Sequence, residues 1–173
     1  EEMQKFDSNN ENKNAGNLWK LWHGDTHHIA DDHLNWKKDC PTFNSLLSKI
    51  EDHFNMKIKA TRLNYYKDNS EWKPYHFDAA AVDPVKSKTQ NFTVGISFGL
   101  ERDIAFQIAS RQKEEERSVV SFPLKNGQCY AFTRDINTIW RHGVPQLINK
   151  SKTAIEGRIS VIAWGWVDQN EIN

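Results

Sequence analysis

Several protein classes are excluded by what the chain has little of. It holds two cysteines in 173 residues, Cys40 and Cys129, far apart and in no CxxC spacing. A disulfide scaffold and a thiolate zinc site both need more, so a reducing compartment is expected. It has no surplus of either charge, with 23 Lys+Arg against 23 Asp+Glu. No excess of cations exists to neutralise phosphates, which argues against a strongly basic nucleic-acid binder and leaves room for a local basic groove. Nor does it contain the run of roughly 18 apolar residues that a spanning helix needs, and its mean hydropathy is −0.78. No membrane partner is expected. No secretory apolar segment is visible either, so the expected location is intracellular, in nucleus or cytoplasm.

What is present suits one domain of ordinary size. Hydrophobic residues make up 38 % and aromatics 12 %, too apolar for a disordered chain. Residues 1–17 are polar, Asn-rich and nearly without apolar side chains, and read as a disordered tail. A single domain over residues 18–173 follows, expected as a monomer. Phe43, Leu46, Leu47, Ile50 and Phe54 recur at helical spacing behind Pro41, which suits a first helical turn.

Beyond that helix the pattern changes to short alternating runs: Ile58 to Leu63, Val94 to Phe98 and Ile104 to Ile108. Further strand candidates are Ser118 to Phe122, Gln128 to Phe132, Asn137 to Trp140 and Arg158 to Val167. Asn126-Gly127 carries a hairpin-turn signal between two of them. The charged run Arg111 to Arg117 reads as a solvated loop. Seven short strands after one or two helices predict a mainly β fold with flanking helices (α+β), a sandwich or jelly roll with helical packing on one side.

Two His-x-Asp triplets occur, His23-Gly24-Asp25 and His76-Phe77-Asp78, and with seven His in the chain one such triplet means little by itself. Context separates them. A His and a carboxylate two residues apart on a strand point to the same face. A second His from a later strand completes the 2-His-1-carboxylate set of non-haem Fe(II) oxygenases, which leaves coordination positions open. His76 and Asp78 have strands ahead of them, and His142 follows 66 residues later at the end of a strand-like run. His23-Gly24-Asp25 precedes the helix and has no predicted strand to support it. His27, His28 and His33, with Asp31 and Asp32, could add to that triplet, yet nothing in the sequence fixes them on one face.

The ordered set Asn64-Tyr65-Tyr66, His76-Phe77-Asp78, Gly95 to Leu100, Arg141-His142-Gly143 and Arg158 resembles the AlkB-like 2-oxoglutarate/Fe(II) dioxygenases over about residues 60 to 168. The resemblance implies a double-stranded β-helix (jelly-roll) core with N-terminal helical packing, and an oxidoreductase that consumes 2-oxoglutarate and dioxygen. It implies His76, Asp78 and His142 as the catalytic iron ligands. It implies Arg158 as the partner of the distal carboxylate of 2-oxoglutarate, with Asn64 and Tyr66 as further cosubstrate contacts. A methylated nucleobase in DNA or RNA is the substrate it brings, to be hydroxylated or demethylated. A protein side chain or a small molecule on the same scaffold is the alternative.

Three positions depart from the nucleic-acid repair members: Trp164 stands in place of a second Arg, Ser160 in place of an Asn, and Ala80 in place of an acid. These leave iron and cosubstrate binding intact and bear on the substrate. Trp19 and Trp22 lie where the family places substrate-recognition elements. They are read either as stacking platforms for a base or as ordinary packing aromatics.

Overall fold

The computed structural model describes residues 19–24, 40–109, 118–147 and 157–168, for 19–24 the backbone only. In chain order the elements are β1 (Trp19–Gly24), α1 (Pro41–Phe54), β2 (Met56–Tyr66), β3 (Lys73–His76), β4 (Phe92–Gly99) and β5 (Arg102–Ile108). Then come β6 (Val119–Leu124), β7 (Cys129–Thr133), α2 (Arg134–Ile139), β8 (Trp140–Val144) and β9 (Arg158–Val167). Two antiparallel sheets result: a larger one in the order β1-β2-β9-β4-β7, and a smaller one in the order β3-β8-β5-β6. This is the expected jelly roll.

Helix α1 starts where the sequence places it, with Pro41 in the first turn, and stops at Asn55 in the left-handed region (φ 44°). Its buried Phe43 and Ile50 cover the outer face of the larger sheet. Phe43 packs with Leu63 and Val161, and Ile50 with Met56, Val94, Ala163 and Val167. The inner face looks across the lumen toward the smaller sheet. Strands β2 and β9 are therefore buried on both sides, which is why polar residues on their inner face stand out.

A bulge in β2 decides which residues those are. The pairing with β9 shifts between Ile58 and Ala60. Ile58 packs under α1, whereas Ala60 joins Trp164 and Ile162 in a separate cluster. From there on Arg62, Asn64 and Tyr66 follow the inner face, because a one-residue slip exchanges the faces of everything beyond it.

Three expectations need correction. Asn137 to Trp140 is not a strand: α2 runs to Ile139 and β8 begins at Trp140. The buried Asn137 side chain reaches the backbone at Asp78, and that tertiary bond overrides a local β pattern. The His23 triplet does have a strand beneath it, since β1 pairs antiparallel with β2 from Trp19↔Tyr65 to Gly24↔Ala60. The described strands also exceed seven, because β1 and β3 were not foreseen. The Asn126-Gly127 turn is where it was expected, with Gly127 at φ 79°. Neither Cys40 nor Cys129 is in a disulfide, and no described helix is long and apolar enough to cross a membrane. The tail, the Arg111 to Arg117 run, the side chains of Trp19, Trp22 and His23, and the other residues of the N-terminal His/Asp group lie outside the described residues.

Candidate active site

His76 ends β3 and His142 lies on β8, directly paired across the smaller sheet. Asp78 comes two residues after His76, past the strand end, at the start of a short 3-10 turn over Ala79–Ala81. One potential ligand atom from each of the three lies within 4.8 Å of the others. The Nε2 atoms of His76 and His142 stand 3.8 and 3.5 Å from Asp78 Oδ1. The two imidazole rings are 4.5 Å apart between centroids.

The protonation states suit metal binding. Nδ1 of His76 lies 3.0 Å from the Pro74 carbonyl. A carbonyl only accepts, so Nδ1 carries the hydrogen and Nε2 presents a lone pair. Burial, helped by the nearby Lys73, pushes His76 down to about 3, and the ring is neutral at pH 7. Burial alone would raise the Asp78 carboxyl. The His142 and His76 rings beside it outweigh that and hold it well below the usual carboxylate range. Two histidine imidazoles and one carboxylate are the donor set of a non-haem iron centre.

Asp78 is positioned from α2 and from the larger sheet. Its backbone N–H donates to Asn137 Oδ1 at 2.9 Å, and Asn137 Nδ2 donates back to the Asp78 carbonyl at 3.3 Å. From β4, Thr93 Oγ1 donates to Asp78 Oδ2 at 3.4 Å. Neither Asn137 nor Thr93 was singled out from the sequence. Asn137 was legible only as a polar residue amid an apolar run, a weak signal without knowledge of its burial.

The other three predicted residues gather on the inner face of the larger sheet. Tyr66 pairs with Arg158 and Asn64 with Ser160 across β2 and β9. The Arg158 guanidinium carbon is 5.0 Å from the Tyr66 ring centroid, and its Nε donates to Ser97 Oγ at 2.8 Å. Asn64 Nδ2 donates to Ser160 Oγ at 3.1 Å. Burial raises the Tyr66 phenol, opposed by the Arg158 and Arg102 cations. Arg102 flanks the other side of Tyr66, its guanidinium carbon 5.9 Å from the ring centroid, and is tied to the carbonyls of Glu71 and Pro145.

The departures from the repair enzymes also find their places. Ser160 is the partner of Asn64. Ala80 is buried in the turn after Asp78. Trp164 lies under the Arg62 guanidinium, whose central carbon is 5.5 Å from the ring centroid. Arg62 flanks the Asn64 motif in sequence, where a cation could have faced outward. It is instead buried in the lumen. Burial pushes it down to about 9, and with Asp78 nearby it stays a cation at neutral pH.

Among the buried side-chain atoms without a hydrogen-bond partner are His76 Nε2, His142 Nδ1, one terminal nitrogen of Arg158 (Nη1) and Asn64 Oδ1, with others at Thr61, Asn69 and Arg102. Buried polar atoms are ordinarily satisfied; of these exceptions His76 Nε2 faces Asp78, and Arg158 Nη1 and Asn64 Oδ1 belong to the inner face of the larger sheet. Iron and 2-oxoglutarate therefore fit the residues present.

The model of the 2OG-Fe(II) oxygenase superfamily matches residues 2–163. Among solved structures the chain is similar to a 2OG-Fe(II) oxygenase family oxidoreductase from Burkholderia pseudomallei. That match has 15 % identity over 86 % of this chain and 65 % of that one, with a TM-score of 0.49. It is also similar to OsALKBH1 (16 %, 64 % and 49 %, TM-score 0.45). A Pseudomonas putida prolyl-4-hydroxylase matches as well (12 %, 88 % and 70 %, TM-score 0.40). The matched region spans about half the length of OsALKBH1. No curated protein matches the chain significantly.

Proposed function

The chain belongs to the 2OG-Fe(II) oxygenase superfamily, and on that premise we propose that it is a dioxygenase in which His76, Asp78 and His142 hold Fe(II) while Arg158, Asn64 and Tyr66 hold 2-oxoglutarate. The observation that carries the metal assignment is the convergence of one potential ligand atom from each of His76, Asp78 and His142 within 4.8 Å, and the buried, unpartnered Arg158 Nη1 and Asn64 Oδ1 support the cosubstrate assignment. When bound, iron with 2-oxoglutarate and dioxygen supplies the oxidation of a C–H bond, coupled to decarboxylation of the cosubstrate to succinate.

The protein contributes position. The Pro74 carbonyl fixes the His76 ring and its tautomer. Asn137 and Thr93 hold the Asp78 carboxylate. Arg158, steadied by Ser97 and stacked on Tyr66, presents a planar fork to the distal carboxylate of 2-oxoglutarate. Asn64, on the same inner face, keeps a buried oxygen without a hydrogen-bond partner.

Two substrate readings compete. An AlkB-like oxidation of a methylated nucleobase rests on the motif resemblance alone. Hydroxylation of a protein side chain or a small molecule is favoured by the site itself. Trp164 and Ala80 replace groups that the repair enzymes carry, Arg62 turns inward rather than toward a nucleic-acid rim, and net charge is zero. The test is incubation with Fe(II), 2-oxoglutarate and methylated DNA and RNA oligonucleotides, followed by mass spectrometry. Succinate should form without any oligonucleotide losing a methyl group or gaining an oxygen. A modified oligonucleotide would restore the nucleobase reading, and a His76→Ala variant with unchanged succinate output would sink both.

A further inference from the structure

The lumen between the sheets has two unlike halves, and the triad stands on their boundary. Toward β2 and β9 it is polar and cationic, with Arg62, Asn64, Tyr66, Arg158 and Ser160. Toward β5, β6 and β7 it opens into a cavity of about 470 Å³. No charged side chain is among the described residues that line this cavity. Its wall begins at the metal site: the rings of Phe132 and Phe106 lie 5.0 and 5.9 Å from the His142 ring.

The mouth is as apolar as the wall. Val120, Phe122 and Ile136 line the cavity and yet are 43, 50 and 40 % exposed. Contiguous half-exposed apolar residues around a concavity mark a place where something apolar is covered. The volume falls in the range of small-molecule sites. The described residues of this rim offer no cation to a polyanion. With the cationic half matched to 2-oxoglutarate, the apolar half is left for the molecule that is oxidised.

We infer that this cavity seats the substrate, and that the substrate is a small uncharged molecule with an arene or alicyclic skeleton. The inference rests on the dioxygenase reading and deepens it. The reaction balances as R–H + O2 + 2-oxoglutarate giving R–OH + succinate + CO2. One oxygen atom enters the substrate C–H bond and the other enters succinate, and the cosubstrate supplies the two further electrons that dioxygen requires. Phe106 and Phe132 exclude water on the side of the triad where that bond would lie.

The probe is N-phenyl-1-naphthylamine, uncharged and fluorescent only in apolar surroundings, titrated into the full chain with Mn(II) and 2-oxoglutarate. One molecule should bind per chain, and indane or other small arenes should displace it. Phe122→Asp and Ile136→Lys alter half-exposed positions. Each should weaken probe binding about tenfold or more while calorimetric binding of 2-oxoglutarate stays unchanged. Unchanged probe affinity in both variants would overturn the inference, as would 2-oxoglutarate binding by a protein that takes up no probe. A protein that binds the probe but no 2-oxoglutarate would instead overturn the dioxygenase reading. A dimer in sedimentation that Phe122→Asp dissociates, with the probe excluded, would reassign the mouth to a second copy.

Discussion

Gly95 on β4 lies opposite Tyr130 on β7, and a Cβ built on it would come within 2.2 Å of the tyrosine ring. The position is glycine because the ring lies across the strand there, and the same ring forms part of the cavity wall. Gly95→Ala must push the ring away, at a cost of about 1–3 kcal/mol. Urea titration of the single and double variants checks this: Gly95→Ala should be much less damaging in a Tyr130→Ala background, and additive losses would show that the ring is not the obstacle. Tyr66 gives a second residue-level prediction. Burial raises its phenol above the ordinary value of 10.0. Below that pH both folded and unfolded chains keep the proton and the stabilisation is complete. As pH climbs past it, the unfolded chain releases its proton while the folded one retains it, so stability falls until the folded value is reached. Comparing urea midpoints at successive pH values above 9 should show a shallower alkaline decline in Tyr66→Phe than in the parent. Parallel curves would refute the assignment.

Among the elements, α2 is the one that local pattern misjudged, and it holds the carboxylate of the candidate metal site in place. Asn137→Ala removes both hydrogen bonds to the Asp78 backbone and leaves its N–H buried without a partner. That should cost about 1–3 kcal/mol and weaken metal binding roughly 10–100-fold. Competition titration with a chelator reads the second effect independently of turnover, and full metal affinity in a destabilised variant would mean that α2 matters only for the fold. The contrast with β2 and β9 shows what a sequence exposes. His76 and His142 stand out in the sequence through their strand-like context, and Asp78, Arg158, Asn64 and Tyr66 through the ordered motifs of the resemblance. Asn137 and Thr93 act through tertiary bonds that no periodicity records. The bulge at Ile58–Ala60, which turns Arg62 into the lumen, is equally silent in a run that alternates on paper. β3 was missed because it is only four residues long, and β1 because its six residues, though half apolar, lie between long polar stretches of sequence.

For the molecule as a whole, zero net charge and a jelly roll of two separate sheets point to ligands as part of its stability. The two sheets do not share a hydrogen-bonded ladder. Two of the candidate metal ligands belong to the smaller sheet, His76 on β3 and His142 on β8. Arg158, Asn64 and Tyr66 belong to the larger. Metal and 2-oxoglutarate together would therefore span the lumen and tie one sheet to the other. A ligand bound only by the folded state, at about a hundred times its Kd, adds about 2.7 kcal/mol. For a chain of this size that raises Tm by roughly 5–10 °C. Mn(II) under anaerobic conditions should give one such increment, and 2-oxoglutarate added to it a second. Arg158→Leu keeps most of the buried volume and removes the fork, so it should retain the metal increment and lose most of the second. Calorimetric scans of parent and variant measure both. An undiminished 2-oxoglutarate increment in Arg158→Leu would move the anion site elsewhere among the buried cations, with Arg62 and Arg102 next in line because both lie at the polar half of the lumen and stay clear of the apolar one.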